Sequence, residues 1–573
     1  MSQPVEFVRI SDIAHAPSTT VWLPQHASSL PYTDGRRVEE YLARVLTSAQ
    51  DLSSESFELE SRIRDWPTRY HLSPARGQIL RDFSLDRSAR VLEVGSGCGA
   101  ITRLLGERFQ QVIGVEGSRR RASLARLRTR GMDHVAIVNA RFEALRFDER
   151  FDVITFIGVF EYATMLDGSE DPHDHVLKWI SEALAPSGQL VLAIENQFGL
   201  KYFAGDPEDH TGVRFDGLEG YRRFPQKART FGITALTRRL STYFDNVEYF
   251  FPYPDYKLPR CILRDRFFEM ADVSELVAAF SRRGSNTLFD EEFVIRQLAS
   301  NMMLPTFANS FLVVAGNGPG LHVKAPWLGV MYGDQRRPHL RSVTHVTEGE
   351  GSTLIVTKSP LAGGIVHDGP LTLKSSTTEW NSGQSIHAQV LERVKHRGLS
   401  LEDVVQPAKA WIDELRALAR TKEVGVVVPG RFLDCTWRNT FCSRGRCAFI
   451  DMEWEWSEDV LLEVVLIRAV SEFLKAIEDM HGVNPEFRRG RWITIAKRIG
   501  RALGIRLKQK HFQAFYMLDG RLTEIVTKRS FIPQRLKTQL RFEVPLASRI
   551  GRGSELLIRR SWALLSRVGD MFR

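Results

Sequence analysis

Val91-Leu92-Glu93-Val94-Gly95-Ser96-Gly97-Cys98-Gly99-Ala100-Ile101-Thr102 is the stretch that decides the fold. Apolar residues run into three alternating glycines, and helix formers follow. Glycines permit a sharp turn and let a ligand approach the backbone. The stretch predicts a strand, a tight turn and the first turn of a helix. Outward from it the same alternation repeats. Short strands are predicted at 89–94, 111–115, 135–138, 151–156, 189–194, 247–253 and 311–315, with helices at 101–108 and 119–129. Such alternation implies an α/β fold, a doubly wound, Rossmann-like sheet of seven strands. Residues 258–310 are too long for a hairpin and are expected to form an inserted helical cover.

The 573 residues suffice for three or four domains of about 150 residues each. Residues 1–65 read as a helical extension, with helices at 38–49 and 53–63. The α/β domain spans 66–320, and the Gly/Pro-rich passage 316–326 reads as a linker. Residues 327–475 start strand-like, at 343–346 and 353–356, and turn helical, at 388–397 and 460–475. They are expected to form a separate α+β domain. Residues 476–573 form a basic helical tail, with periodic stretches at 492–503 and 554–572.

The net charge of +9 is uneven, because 481–573 hold 21 Lys/Arg against 6 Asp/Glu. The basic character therefore concerns a partner of the tail. Ile558, Trp562, Leu565, Val568 and Phe572 recur at near-helical spacing among Arg559, Arg560, Arg567 and Arg573. That pattern suits an anionic membrane surface, and equally a helix packed on the body. Nucleic acid is the disfavoured partner, since no nucleic-acid module is recognisable. Cys98, Cys261, Cys435, Cys442 and Cys447 are too few and scattered for a disulfide framework, which points to a reducing cytoplasm. No second Cys/His pair joins Cys442 and Cys447 into a zinc site. No leader-like segment and no apolar run of about 18 residues is visible. The expected location is cytoplasmic, peripheral on the inner face of the membrane if the tail binds there.

The carboxylates narrow the ligand. Gly95-x-Gly97-x-x-Ala100 alone also fits a dinucleotide site. Glu93, two residues before Gly95, would repel a pyrophosphate. It would attract S-adenosylmethionine (SAM), which carries an ammonium and a sulfonium. Glu116 ends the second strand, where an acid accepts ribose hydroxyls. From about Tyr70 to Ala315 the chain resembles class I SAM-dependent methyltransferases. The resemblance implies a cofactor site of Tyr70, Glu93, Gly95, Ser96, Gly97, Gly99, Glu116, Gly117, Arg141, Phe142 and Ile157. Asn139-Ala140-Arg141-Phe142 matches the turn that packs on adenine, although Arg141 stands where these families often carry Asp. Phe160-Glu161-Tyr162 lies beside the methyl-transfer site.

A narrower likeness rests on Trp66-Pro67, Tyr70-His71-Leu72-Ser73, Ile194–Tyr202, Glu208–Gly212 and Tyr253–Lys257. These stretches resemble bacterial methyltransferases associated with surface-polysaccharide (O-antigen, lipopolysaccharide) glycosyltransferases. The layout is similar to a bifunctional methyltransferase/kinase that caps O-antigen polymannose. The resemblance implies O-methylation of a glycan or lipid-linked saccharide, with a glycosyltransferase as partner. Strand ends four and five face the cleft of such sheets. Glu161, Glu195, Asn196, Glu208, Asp209 and His210 are expected to gather there. Tyr202, Tyr253 and Tyr256 would add aromatic surface for sugar faces. His210 is the first candidate base for the acceptor hydroxyl, with Glu195 and Glu161 beside it. The acid-and-histidine set also suits a divalent cation, but no metal is assigned.

In the second domain, Asp434-x4-Asn439 and then Asp451 match the spacing of protein-kinase-like folds. By that resemblance Asp434 would be a base, Asn439 and Asp451 would hold Mg²⁺ beside ATP, and Lys358 would bind phosphate with Glu392 as its ion-pair partner. Phe432-Leu433 replaces His-Arg, Met452-Glu453 replaces Phe-Gly, and no glycine-rich loop precedes Lys358. A degenerate kinase-like domain, an active phosphotransferase and an unrelated α+β domain all stay open. Two alternatives to the glycan O-methyltransferase follow: a bifunctional methyltransferase/kinase, and a non-enzymatic scaffold with a relic fold.

Overall fold

The computed structural model describes residues 6–14, 20–24, 33–166, 170–281, 287–318, 320, 322–443, 446–488 and 490–527. Its centre is a mixed sheet of twelve strands. They are numbered along the chain: β1 Arg90–Val94, β2 Gln111–Glu116, β3 Val135–Asn139, β4 Phe151–Ile157, β5 Leu184–Glu195, β6 Asn246–Tyr253, β7 Cys261–Arg264, β8 Ser310–Gly316, β9 Gly329–Gly333, β10 Ser342–Glu348, β11 Leu354–Pro360 and β12 Ser376–Glu379. The spatial order is β3-β2-β1-β4-β5-β8-β6-β7-β9-β10-β11-β12. β1 to β5 pair in parallel, and every pairing from β5–β8 onward is antiparallel.

All seven expected strands are present. β8, Ser-Phe-Leu-Val-Val-Ala-Gly, is buried at every residue, as a strand covered on both faces must be. Successive residues serve opposite faces. Leu92, Phe156, Leu192, Phe251 and Phe311 join one core layer. Val91, Val153, Val191, Phe250 and Leu312 join the other.

The expected sheet of seven is corrected to twelve. β6 turns back as β7, and β9 to β12 extend the sheet from there. The strand-like segments assigned to a second domain therefore belong to the first sheet. The passage read as a linker does not interrupt it. Val323–Lys324 pairs with Ser84–Leu85, and Trp327 packs edge-on against Phe83 and Phe250 while its Nε1 donates to the Asp82 carbonyl.

Among its described residues, the insertion at 258–310 carries four helices, Asp265–Met270, Ser274–Phe280, Glu291–Ser300 and Leu304–Phe307, after β7. Its acids reach the C-terminal half. Glu275 accepts from the Ser385 backbone and hydroxyl, and Asp290 pairs with Lys395. Glu292 lies 3.5 Å from His387.

A second core gathers Leu340, Leu371, Trp411, Trp437 and Phe473 with Trp492, Ile495, Phe512 and Phe515. Helices Trp492–Ala502 and Gln509–Thr527 thus pack into this core rather than forming a free tail. The amphipathic stretch 554–572 lies outside the described residues. At the N-terminus, Arg36–Ser48 is helical, but only Phe57–Glu60 of the expected 53–63 helix forms an α-helix. Among the described residues, no helix is long and apolar enough to cross a membrane. One disulfide, Cys442–Cys447, closes a hairpin of Thr440–Ser443 and Arg446–Phe449.

Candidate active site

The glycine loop forms as its sequence requires. Gly95 and Gly99 take φ of 79° and 85°, the left-handed region that favours glycine. A Cβ at Gly95 would lie 2.4 Å from Val159 Cγ2, and one at Gly99 would lie 2.7 Å from Ala125 Cα. The helix Ala100–Arg108 starts directly after Gly99.

Two acids meet at this loop. Glu116 accepts N–H bonds from Gly97 and Ser118, both at 2.8 Å. Glu93 is buried, and its Oε2 has no hydrogen-bond partner. Burial first, and then the charge of Glu116, push the Glu93 carboxyl up to about 7. The unmet charge fits a cationic ligand. SAM, with its ammonium and sulfonium, fits these groups, and Glu93, Glu116 and the loop backbone would hold it.

Arg76, which the sequence did not flag, is buried beneath this site. It donates to the carbonyls of Tyr256 and Lys257, each at 3.1 Å, and sits over the Tyr70 ring at 4.7 Å. Its partners lie some 180 residues away, so no local pattern announces it. His71, quoted only within a motif, contacts Asp34 at 2.9 Å and the Cys98 sulfur at 3.8 Å. Burial works against its charge, but Cys98 and Asp34 outweigh it and raise its pKa to about 9.

The remaining expected cofactor residues divide. Ser96 is buried in the glycine loop, and Ile157 is buried at the end of β4. The Gly117 carbonyl accepts from Asn139 Nδ2 at 3.1 Å. Arg141 pairs with Glu143. The Phe142 ring lies in the core, edge-on to Phe156 and Trp179.

Beyond β4 and β5 the acid cluster assembles. Glu161 and Glu195 are 1% and 0% exposed. His210 Nδ1 meets Glu208 at 2.9 Å, while Nε2 faces Glu161 at 3.6 Å and Glu195 at 3.8 Å. Lys257 Nζ lies 2.5 Å from Glu195 and 2.6 Å from Asp209, and Lys201 Nζ lies 2.9 Å from Asp209. The cluster adjoins the cofactor loop. Gly158 carries the Tyr256 hydroxyl against it, and that hydroxyl points to Glu161 at 3.5 Å.

Burial would lower the His210 pKa, but the Glu161 carboxylate facing its ring, the bonded Glu208 and the charge of Glu195 push it up to about 10. Burial, with Glu195 beside it, raises the Glu161 carboxyl. Burial opposes the shift at Glu208, yet the His210 hydrogen bond and charge and two backbone N–H bonds hold its carboxyl low. His210, the first candidate base, is thus held in its protonated form by the carboxylates around it. Asn196 is structural. It donates to the Thr306 and Ala308 carbonyls and accepts from Phe198 N–H. Tyr202, Tyr253 and Tyr256, expected as sugar-stacking surface, are 2–3% exposed, and Tyr202 and Tyr256 lie against the cluster.

In the C-terminal half, Lys358 on β11 pairs with Asp451 at 2.8 Å and Glu453 at 2.6 Å. Glu392 is not its partner; it bonds Gln384 on the exposed face of Ile386–Val394. Its helix packs through Ile386, Val390 and Leu391, which turns Glu392 outward. Asn439 Nδ2 donates to the Asp434 carbonyl, and the Asp434 carboxylate is bound by Arg468 at 2.9 Å.

Residues 68–247 match a family model described as a methyltransferase domain. That part of the chain carries a methyltransferase domain, for which SAM is the expected cofactor. A search of curated proteins returns no match. Among solved structures, the chain is similar to a SAM-dependent methyltransferase from Thermotoga maritima, at 15% identity and a TM-score of 0.24, covering 40% of this chain and 83% of that one. It is similar to the N-methyltransferase NodS from Bradyrhizobium japonicum, bound to S-adenosyl-L-homocysteine, at 21% identity and a TM-score of 0.20, covering 28% and 74%. A phosphoethanolamine N-methyltransferase from Haemonchus contortus shares 15% identity, with a TM-score of 0.26 and coverage of 42% and 51%.

Proposed function

We propose that the protein O-methylates a hydroxyl of a saccharide or glycan intermediate in cell-surface polysaccharide biosynthesis. The observation that carries this reading is the buried cluster of Glu161, Glu195, Glu208, Asp209, His210, Lys201 and Lys257 beside the glycine loop. A cleft with that many fixed donors and acceptors suits an acceptor rich in hydroxyls, because each buried polar group needs a partner. Bound SAM supplies a methyl group activated on a sulfonium. Glu93 and Glu116 hold the cofactor's positive and ribose ends. Lys257 and His210 orient the acceptor, and Glu161, whose Oε2 has no partner, receives the hydroxyl proton.

The test is incubation of the full chain with tritiated SAM and a lysate fractionated into lipid-linked glycan, protein and RNA. Label is expected in the glycan fraction and absent with Glu161→Gln. Label in protein or RNA alone overturns the acceptor. Calorimetry with SAM disposes of the scaffold alternative if binding is tighter than millimolar.

One observation favours a second reading, a bifunctional methyltransferase/kinase. Lys358 and Asp451 meet as a phosphate-binding lysine and a metal-binding acid would. Against it, Glu453 also occupies the lysine, and Glu392 stands away. Phosphate transfer from ATP and Mg²⁺ to the glycan, lost in Asp451→Ala, would establish it; its absence removes it.

A further inference from the structure

Three side chains in the acceptor cluster share a geometry that the methyl-transfer reading does not use. Glu208 Oε1 holds His210 Nδ1 at 2.9 Å, and its other oxygen accepts the His210 and Thr211 backbone N–H groups at 2.8 and 2.6 Å. That fixes the ring and turns Nε2 toward Glu161 Oε1 and Glu195 Oε2, at 3.6 and 3.8 Å. These separations are too long for good hydrogen bonds. They match the spacing of atoms about 2.1 Å from one ion at a tetrahedral angle, which is about 3.5 Å. A carboxylate on the far nitrogen of a ligating histidine is the usual support of such a site.

Two independent observations point the same way. Glu161 Oε2 and Glu195 Oε2 are buried without any hydrogen-bond donor. The charges also fail to close. Four carboxylates, Glu161, Glu195, Glu208 and Asp209, face two ammonium groups, Lys201 and Lys257. Lys257 is spent on Glu195 Oε1 and Asp209, which leaves Oε2 on the histidine side. An ion at Nε2 takes the place of the proton that His210 otherwise carries; with the ring neutral, two negative charges remain in this buried pocket, and a divalent cation balances them.

We infer that Glu161, Glu195 and His210 bind one divalent first-row transition ion of the Mn²⁺-to-Zn²⁺ range. The acceptor's hydroxyl oxygen is a further ligand, a point that rests on the methyltransferase reading above. The nitrogen-and-oxygen donor set suits these ions better than Mg²⁺, which prefers oxygens in strict octahedral array. The ion polarises the hydroxyl where the carboxylates alone would repel developing negative charge.

The test strips the full chain with EDTA and titrates it with MnCl₂, reading free Mn²⁺ by electron paramagnetic resonance, with ZnCl₂ as competitor. One Mn²⁺ per chain, displaced by Zn²⁺, is expected. Affinity should fall at least tenfold in His210→Ala and in the isosteric Glu195→Gln. It should fall about 10–100-fold in Glu208→Gln, which removes only the supporting carboxylate. SAM calorimetry on each variant without metal reports whether the fold is intact. Absence of stoichiometric Mn²⁺ and Zn²⁺ binding by the wild-type chain overturns the inference, as does unchanged binding in folded Glu195→Gln. SAM binding without metal binding leaves the methyltransferase reading standing and sinks the metal site. Metal binding by a chain that labels no saccharide upholds the site and sinks the acceptor.

Discussion

Gly95→Ala tests the cofactor loop most directly, because the structure states what the added methyl would meet. Gly95 has φ of 79°, and its Cβ would fall 2.4 Å from Val159 Cγ2. Left-handed backbone costs an alanine about 1–2 kcal/mol. Overpacking adds about 1–3 kcal/mol if the chain holds its place. If it yields, the loop must open by about 1 Å to reach the 3.4 Å of ordinary contact. Either way the backbone that faces the cofactor is displaced, and each hydrogen bond lost there is worth about 0.5–1.5 kcal/mol. The expected result is at least a tenfold loss of SAM affinity by calorimetry, since a tenfold change is about 1.4 kcal/mol. Val159→Ala separates the two causes. It removes Cγ2 and leaves Cβ at 3.6 Å, so the clash goes and the backbone strain stays. The Gly95→Ala/Val159→Ala chain should recover part of the loss, with a coupling of about 1–3 kcal/mol. Wild-type affinity in Gly95→Ala, or strictly additive effects in the pair, would refute the reasoning.

Lys358→Met takes the nearer cation from Glu453, which is 0% exposed and keeps Arg336 at 3.5 Å; a destabilisation of about 1–3 kcal/mol is expected in the thermal unfolding of the C-terminal half, and a second change, Glu453→Gln, should recover much of it. His387 is 1% exposed, and burial and then Arg438, against the pull of Glu292, lower its pKa from 6.5 to about 4. A depressed folded pKa leaves stability flat above pH 6.5 and erodes it as pH falls toward 4, by about 2 kcal/mol at pH 5. Melting curves against pH should show this acid slope in wild type and its loss in His387→Asn; equal slopes contradict the assignment. Asn196→Asp turns two donors into acceptors that face the Thr306 and Ala308 carbonyls, so about 3 kcal/mol of stability should be lost, and a variant as stable as wild type would remove the structural role given to Asn196.

The parallel strands were legible because they are buried on both faces and read as continuous apolar runs. β1 to β5 lie within about two residues of their predicted ends, apart from the early start of β5 at Leu184. The extension was not legible for the opposite reason. β10, Ser-Val-Thr-His-Val-Thr-Glu, is mostly polar, with two valines, and such a strand looks the same whichever sheet it joins. Nothing in 316–326 says that Val323–Lys324 pairs with Ser84–Leu85 or that Trp327 sits on Phe83. A boundary drawn on glycine and proline content therefore split one sheet into two domains. The Glu392 error has a related origin. Its helix was foreseen, but spacing from Lys358 does not fix which helical face meets β11, and Asp451 with Glu453 fills the lysine instead.

The site was legible wherever charge and position coincide in a short motif. Glu93 lies in β1, Glu116 closes β2, Glu161 follows β4 and Glu195 closes β5. Four adjacent parts of one parallel sheet thus place a carboxylate at or near the same edge, in a chain whose net charge is +9. Water cannot compensate them, since all four are at most 6% exposed. Each buried carboxylate costs several kcal/mol unless a cation or donor meets it. Lys257 meets one oxygen of Glu195, and backbone N–H groups meet Glu116. Glu93 Oε2 and Glu161 Oε2 remain unmet. A pyrophosphate would add to this excess, whereas a sulfonium with an ammonium would neutralise its first half, at Glu93. The second half, at Glu161, requires either a proton or a metal ion, and that choice is what separates simple base catalysis from metal-assisted methyl transfer in this cleft.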